Sequence, residues 1–371
     1  MTSHPSNLSS RSFKRILLIK PSSLGDLVHA LPVLHGLRQR YPEARIDWLA
    51  GSAFAPLIEG HPDIHEVVRF DRQRFGRMMV SPSALVAFHR FRKHLQRRNY
   101  DLVIDLQGLF RSGFLSWSTR AKVRIGFAQA REAAWMFYTD RIRPSPHDTH
   151  AVDRNYGVAA MLGFADLPIR FDLAVVPEER RRAEALLAKA GLTAPGRFAA
   201  VLPGARWETK RWPPERFSRL IDGLRTDLGL TTVLLAGRAE AALCEQVRAD
   251  CREQPINLAG RTDLRELVAV LERAAVVICH DSAPMHLAAA LGRPMVSILG
   301  PTNPARTGPY TQAARIIQAD LPCVPCYLRR LAQCRYDHQC MTSVEPPNVL
   351  DAVANALGTP AESGSANIGR G

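Results

Sequence analysis

The hydrophobic positions of the chain form short apolar runs, and these runs alternate with segments of helical spacing. Apolar residues of the segments between runs recur every three or four positions, as at Leu27, Leu31, Leu34 and Leu37, a spacing typical of amphipathic helices. Continuous apolar runs bounded by helices indicate parallel strands buried on both faces, and therefore an α/β fold. The predicted strands are Arg15–Lys20, Arg45–Ala50, Glu66–Phe70, Asp101–Leu106, Val123–Phe127, Phe198–Leu202, Thr232–Ala236, Ile256–Leu258, Val276–Cys279 and Met295–Leu299.

The alternation is interrupted near Phe171–Glu179 and then restarts, which indicates two domains. A chain of 371 residues, 46% of them hydrophobic, is long enough to bury two cores. We predict a disordered N-terminal tail at residues 1–13, one Rossmann-like domain at 14–175 and a second at 176–357. The second domain contains a cysteine-rich segment at 323–340 and a terminal helix, and a second disordered tail follows at 358–371.

The segment from Ala274 to Pro309 carries the strongest local pattern. Its predicted strand ends at the polar turn His280, Asp281 and Ser282, and a helix begins near Pro284. Asp281 or Ser282 can cap that helix, because short oxygen-bearing side chains accept hydrogen bonds from the first amides. The same turn can also bind an anion such as a diphosphate, since helix amides at the carboxyl end of a parallel strand attract negative charge.

Two other turns also follow predicted strands. Asp26 lies after the first strand, where it can cap a helix or act as a general base. The segment Pro203–Pro213 is a cationic, glycine-containing loop that includes Lys210, and it is either a phosphate site or a surface loop with stacked Trp and Lys. Neither a GxGxxG after the first strand nor a GxxxxGK[ST] occurs, so the sequence gives little support to dinucleotide or P-loop binding.

The positive charge of the chain is unevenly distributed. The formal net charge is +14, and residues 69–98 hold nine Lys or Arg against one acid. Such a segment attracts phosphates of nucleic acid, of a membrane or of an acidic substrate, and it can also be a solvated helix face. Cations interleaved with Phe88, Phe91 and Leu95 predict a basic amphipathic helix suited to a membrane surface. Without a predicted membrane span or signal peptide, we expect a cytoplasmic protein.

Four of the seven cysteines lie close together in the sequence, at Cys323, Cys326, Cys334 and Cys340. They can be free thiols, disulfides or the ligands of one tetrahedral zinc ion with a structural role. A cytoplasmic location disfavours stable disulfides.

Three motifs resemble, in the same order, those of glycosyltransferase family 9, the lipopolysaccharide heptosyltransferases. They are ILLIKPSSLGDLVHALPVL, LPGARWETKRWPPERF and HDSAPMHLAAALGRPMVSILGPTNPARTGPY. The resemblance implies the GT-B fold, in which two Rossmann-like α/β/α domains face one another across a cleft. It also implies inverting transfer of a heptose from ADP-L-glycero-D-manno-heptose to the Kdo sugars of the lipopolysaccharide inner core. The alternatives are a family 9 enzyme with another nucleotide sugar or a later core acceptor, and, from a different class, a basic nucleic-acid-binding protein.

The resemblance also implies roles for individual residues. The first domain would bind the acceptor and the second the nucleotide sugar. The implied residues are Asp26 and Lys210 for catalysis, with Asp26 as the base; Gly25, Glu240, Asp281, Ser282, Ala283 and His286 for donor binding; and Arg111, Arg131 and His150 for acceptor binding. The implied scheme requires no cofactor or metal ion. Its partners are ADP-heptose, a lipid A–Kdo acceptor and the inner face of the inner membrane, and nucleic acid is not among them.

Overall fold

A computed structural model describes residues 8–77, 79–192 and 197–358 of the chain. The chain divides into two compact units, the first ending at Asp172 and the second beginning at Leu173. Of the predicted tails, residues 1–7 and 359–371 lie outside the described chain. The prediction of a disordered tail is wrong for residues 8–13, because Leu8–Ser10 form a 3-10 helix and both Leu8 and Phe13 are buried.

The first unit contains one parallel sheet of six strands in the order β3-β2-β1-β4-β5-β6. The strands are β1 (Arg15–Ile19), β2 (Arg45–Gly51), β3 (Glu66–Phe70), β4 (Leu102–Asp105), β5 (Val123–Phe127) and β6 (Asp140–Ile142). The helices are α1 (Leu24–Val28), α2 (Leu31–Arg40), α3 (Arg72–Gly76), α4 (Pro82–Arg97), α5 (Phe110–Ser118), α6 (Ala151–Tyr156) and α7 (Ala159–Leu162), with further 3-10 helices at Ala55–Leu57 and Ala134–Phe137.

The second unit repeats this architecture with the strand order β12-β11-β10-β7-β8-β9, again all parallel. Its strands are β7 (Phe198–Leu202), β8 (Thr231–Leu234), β9 (Ile256–Asn257), β10 (Val276–His280), β11 (Met295–Leu299) and β12 (Ala314–Gln318). Its helices are α8 (Pro177–Lys189), α9 (Pro214–Thr226), α10 (Ala241–Ala249), α11 (Leu264–Arg273), α12 (Ala283–Ala290), α13 (Pro304–Thr307), α14 (Gln339–Thr342) and α15 (Pro346–Gly358), and 3-10 helices occur at Glu208–Lys210, Arg238–Glu240 and Leu331–Gln333.

The central strands of both sheets are buried along nearly their whole length. In β4, β7, β10 and β11 every residue is buried, which explains why these strands read as continuous apolar runs. Neighbouring strands place apolar residues side by side, such as Leu18 beside Trp48 in the first sheet and Ile278 beside Val201 in the second. The predicted basic amphipathic helix is α4, which buries Ala84, Phe88 and Leu95.

Both sheets have the doubly wound order of a Rossmann fold, and each has one topological switch point. The order reverses between β1 and β4 in the first unit, and between β7 and β10 in the second. Ligands of such sheets bind beyond the carboxyl ends of the strands at that point. In the described part of the chain, no helix combines the length and the hydropathy that a membrane span requires.

Candidate active site

The switch point of the second unit carries a buried ion pair. Lys210 lies in the loop after β7, and Asp281 is the first residue after β10. The Nζ of Lys210 donates to Asp281 Oδ2 at 2.7 Å and to the Asp281 carbonyl at 3.2 Å. Thr302, in the loop after β11, donates its hydroxyl to the same Oδ2 at 2.6 Å. Three loops therefore converge on one carboxylate at the place where a ligand of this sheet would bind.

Neither Asp281 nor Ser282 caps α12 with its side chain. Ser282 occupies the N-cap position, but no side-chain capping bond forms, and its hydroxyl donates to the His280 carbonyl instead. The prediction that one of these residues caps the helix is therefore wrong. No side chain caps this end of α12, but Pro284 has no N–H and the Met285 amide donates to the Ser282 carbonyl at 3.1 Å. The turn therefore offers an anion the Ala283 amide and the positive end of the helix dipole.

Lys210 also contacts the ring of Trp207, which is contacted in turn by Arg329 of the cysteine-rich segment. Its Nζ lies 4.4 Å from the ring centroid of Trp207, and the guanidinium of Arg329 lies 5.0 Å from the same centroid. Thr209 donates to the Leu328 carbonyl at 2.5 Å, and His338 Nε2 lies 2.8 Å from the Thr209 carbonyl. The cysteine-rich segment therefore packs against the Lys210 loop and supports it.

Glu240 lies beside the start of the same loop. A Cβ added at Gly204 would lie 2.4 Å from the Glu240 carboxyl group, so a larger residue there would force the Glu240 side chain to move. Glu240, one of the predicted donor residues, therefore lies near the end of β7, where the Lys210 loop begins. His286 is buried on α12, one turn after Ala283 at the start of that helix.

His280, the last residue of β10, is a buried polar residue that the sequence places next to Asp281. Its Nε2 accepts a hydrogen bond from the Trp212 amide at 2.9 Å, and its ring packs edge-on against Phe217. Burial lowers the pKa of His280 to about 3. The neutral ring thus fixes the start of α9 relative to β10 at neutral pH.

This pKa leads to a prediction about stability. An unfolded histidine titrates near pH 6.5, so the unfolded state binds one more proton than the native state between pH 6.5 and 3. The contribution of His280 is complete above pH 6.5 and is lost as pH falls, by about 1.4 kcal/mol per pH unit. We expect His280→Gln, which keeps an acceptor for the Trp212 amide, to show a shallower loss of stability in urea unfolding between pH 7.5 and 5.5.

The control for this comparison is His147→Gln, because the His147 side chain is 80% exposed. It should keep the pH dependence of the wild-type protein. Identical pH dependence in wild-type and His280→Gln protein would contradict the assignment of a neutral, buried His280.

Asp26 lies at the switch point of the first unit, within the first turn of α1. Its Oδ2 accepts hydrogen bonds from the Ser23 amide and the Ser23 hydroxyl, both at 2.8 Å, which forms a capping box. The capping role is thus present. The side chain is nevertheless 36% exposed, and its Oδ1 lies 3.8 Å from Lys20 Nζ, so the carboxylate reaches solvent as a base must.

Lys20 is a residue of this site that the sequence did not single out. It is 3% exposed, and its Nζ donates to the Leu106 carbonyl at 2.6 Å. Burial lowers the pKa of Lys20, and the nearby Asp26 carboxylate offsets only part of this effect. Lys20 therefore ties the end of β4 to the loop that carries Asp26. The only signal in the sequence was a lysine at the end of a predicted buried strand, Arg15–Lys20.

The predicted acceptor residues lie around the same switch point. His150 caps α6, and its ring lies 5.5 Å from that of His29, whose amide bonds the Gly25 carbonyl at the start of α1. The Arg131 amide donates to the Gly108 carbonyl at 3.0 Å, in the turn after β4. Arg111 is exposed in the first turn of α5, beside that turn. The structure thus places all three residues around the carboxyl ends of β1 and β4.

The four clustered cysteines are free thiols, of which Cys340 is buried. Burial raises the pKa of Cys340 to about 11, and the other three thiols add to this effect. Within residues 8–77, 79–192 and 197–358, no three His, Cys, Asp or Glu side chains are arranged to hold a metal ion. The predicted zinc site therefore stays a prediction, without support from the geometry.

Comparison with known proteins relates this site to one family. The family described as glycosyltransferase family 9 (heptosyltransferase) matches residues 88–337. Lipopolysaccharide heptosyltransferase 1 of Pseudomonas aeruginosa is 31% identical over 320 residues, which are 84% of this chain and 86% of that protein.

Solved structures are similar over nearly the whole chain. A family 9 glycosyltransferase from Veillonella parvula has a TM-score of 0.82 at 25% identity, covering 95% of this chain and 99% of that one. The E. coli heptosyltransferase WaaC with ADP has a TM-score of 0.74 at 27% identity, covering 92% of this chain and 99% of that one. These similarities confirm the predicted GT-B class with its two Rossmann-like domains. The chain belongs to glycosyltransferase family 9, the heptosyltransferases, and is a glycosyltransferase.

Proposed function

We propose that this protein transfers a heptose from ADP-L-glycero-D-manno-heptose to a Kdo sugar of the lipopolysaccharide inner core, with inversion at the anomeric carbon. The relatives named above from Pseudomonas aeruginosa and E. coli are heptosyltransferases, and the structure of the E. coli protein contains ADP. The observation in this chain that carries the proposal is the Lys210–Asp281 pair beside the uncapped start of α12. A cation beside a helix N-terminus at a switch point suits a diphosphate.

The donor half of the reaction is assigned to the second unit. As the bond between the anomeric carbon and the diphosphate breaks, negative charge develops on the departing ADP. Lys210, the Ala283 amide and the positive end of the α12 dipole would stabilise that charge, because donors fixed in advance need no reorganisation during the reaction. Asp281 would hold Lys210 in place, while Ser282, Ala283 and His286 line the helix start. Glu240 would accept hydrogen bonds from the ribose hydroxyls.

The acceptor half is assigned to the first unit. The acceptor hydroxyl attacks the anomeric carbon, and Asp26 takes the proton from that hydroxyl as the new carbon–oxygen bond forms. Gly25, the residue before Asp26 in the first turn of α1, would contact the donor. Arg111, Arg131 and His150 would bind the carboxylates of the Kdo acceptor through charge-assisted hydrogen bonds. An acceptor anchored to lipid A would require the protein to act as a peripheral protein at the inner face of the inner membrane.

The contact between Gly204 and Glu240 gives a prediction about the donor. A Cβ at position 204 would displace the Glu240 carboxyl group, so we expect Gly204→Ala to raise the KM for ADP-heptose about tenfold, the cost of one or two hydrogen bonds. Glu240→Ala should have a similar effect. Steady-state kinetics with varied donor would measure both.

Gly237→Ala is the matched control, since a Cβ at position 237 meets nothing within 4 Å and the backbone there is extended. If the KM for the donor is unchanged in both Gly204→Ala and Glu240→Ala, Glu240 does not bind the donor.

The proposed donor can be tested by calorimetry with ADP, GDP, UDP and NAD. Selective binding of ADP, weakened in Asp281→Ala, supports the proposal. Selective binding of UDP or GDP would be compatible with membership of the family but would identify another nucleotide sugar as the donor. Binding of none of the four would contradict the assignment of the second unit to the donor.

A further inference from the structure

We propose that the first unit docks on an anionic phospholipid bilayer through one surface, formed by the outward face of α4 and an adjoining aromatic ridge. We call it the docking surface. The aromatic ridge consists of the exposed side chains Phe110, Trp117, Trp135 and Met136. The inference rests on the proposed function for its choice of a membrane as partner, and it adds which part of the chain binds that membrane.

The first observation is the face that α4 presents to solvent. Ala84, Phe88 and Leu95 point into the core, and the opposite side of the helix carries Val86, Arg90, Lys93 and Arg97 at positions i, i+4, i+7 and i+11. That spacing places the four side chains in one stripe. In the described chain, none of the three cations lies within ion-pair distance of a carboxylate, whereas the neighbouring Arg98 pairs with Glu66. Three cations thus remain available to an anionic surface.

The second observation is the amount of apolar surface beside these cations. Of the thirteen large hydrophobic side chains that are exposed in the described residues, eight lie between Met79 and Met136. Met79, Val80, Leu85 and Val86 surround the start of α4 and are between 50 and 88% exposed. An apolar cluster next to unpaired cations is the composition of surfaces that insert shallowly into a bilayer.

Ring contacts join the inward side of α4 to Phe110 and Trp117 of the aromatic ridge. Phe114 of α5 stacks on Phe88 of α4 at 6.3 Å and lies 5.2 Å from the guanidinium of Arg92. Trp117 packs on Phe114, and Phe137 packs on both Phe114 and Phe110. The ridge residues are 41 to 58% exposed. Half-exposed Trp and Phe are typical of the membrane interface, where one part of the ring is apolar and the other is hydrated.

The ridge also lies beside the predicted acceptor residues. Phe110 is followed directly by Arg111, and the Phe110 amide donates to Glu132, the residue after Arg131. A bilayer bound to the ridge would therefore bring lipid head groups to the side of the first unit where a lipid-anchored acceptor would bind. The aliphatic cluster at Met79–Val86 favours lipid over nucleic acid, because nucleic acids offer phosphates and bases but no apolar layer.

The test is flotation of the full-length protein with vesicles at physiological salt, using phosphatidylcholine alone or with about one third phosphatidylglycerol. We expect binding only to the anionic vesicles. The variant Arg90→Gln/Lys93→Gln/Arg97→Gln should bind about 100-fold more weakly, since each cation near an anionic surface contributes about a factor of five. Leu85→Ser/Trp135→Ser, which removes one apolar side chain from the cluster at the start of α4 and one from the aromatic ridge, should weaken binding at least fivefold.

The matched control is Arg197→Gln/Arg219→Gln/Arg252→Gln, which makes the same change in net charge at exposed positions of the second unit. It should bind vesicles within threefold of wild type. Equal losses in both triple variants, no effect of Leu85→Ser/Trp135→Ser, or no vesicle binding by the wild-type protein would each overturn the docking surface. Binding to duplex DNA as strong as binding to anionic vesicles would also overturn it, in favour of a nucleic-acid partner.

ADP binding, measured on the same proteins, separates this inference from the proposed function. Intact ADP binding without vesicle binding overturns the docking surface and leaves the proposed donor in place. Vesicle binding that is lost only in the docking-surface variants supports the surface, whatever nucleotide the second unit selects.

Discussion

Replacing Asp26 with asparagine should lower kcat for sugar transfer by about 10² to 10⁴-fold, the range that a positioned general base contributes. Asparagine has nearly the same shape and keeps an oxygen that accepts from the Ser23 amide, but it cannot take a proton. The second unit is untouched, so ADP affinity should stay within twofold. Single-turnover transfer assays together with calorimetry would separate the two quantities.

The control has to distinguish catalysis from helix capping, because Asp26 also closes the capping box of α1. Asp71→Asn is suited to this purpose, since Asp71 caps α3 by accepting from the Arg74 amide at 2.9 Å and lies in the same unit. Its activity should match that of the wild type. If Asp26→Asn keeps more than about a tenth of the wild-type kcat, Asp26 is not the base.

Replacing Lys210 with methionine should weaken ADP binding by about 10- to 100-fold and lower kcat as well. The lysine would contact the diphosphate, and a charge-assisted hydrogen bond contributes about 1.5 to 3 kcal/mol. The change also leaves Asp281, which is 7% exposed, without its cation. We therefore expect the free energy of unfolding to fall by about 1 to 3 kcal/mol.

A second change tests that explanation. Lys210→Met/Asp281→Asn removes the unpaired charge, so it should recover part of the lost stability without recovering ADP affinity. Lys189→Met, at the exposed end of α8 in the same unit, should alter neither property. ADP affinity within threefold of wild type in Lys210→Met would contradict the phosphate role.

The sequence predicted the architecture because the sheets are buried on both faces. Fully buried strands such as β7 and β10 leave an apolar run that needs no tertiary information to recognise. The outer strands β6 and β12 were missed: β6 has three residues, and none of the β12 residues is fully buried, so neither forms a continuous buried apolar run. Leu8 was assigned to a disordered tail for a related reason, since one buried leucine in a polar segment has no periodicity.

The site was predicted in part. Asp26, Lys210 and Asp281 lie in the segments that follow β1, β7 and β10, where chemistry in this fold class is expected, and the structure brings Lys210 and Asp281 into contact. Thr302 and Lys20 were not predicted, because their roles arise from contacts across 21 and 86 positions of the chain. The wrong capping prediction for Asp281 has the same origin: a carboxylate suited to capping is taken by a cation 71 positions away.

The most direct test of the proposed function is transfer itself, followed by mass spectrometry of the acceptor. The purified protein would be incubated with ADP-L-glycero-D-manno-heptose and Kdo-lipid A, with UDP- and GDP-linked sugars in parallel reactions. We expect the acceptor to gain one heptose, ADP to be released in equal amount, and the new bond to have the inverted configuration. An acceptor left unmodified by ADP-heptose but glycosylated from another nucleotide sugar would contradict the heptosyltransferase assignment.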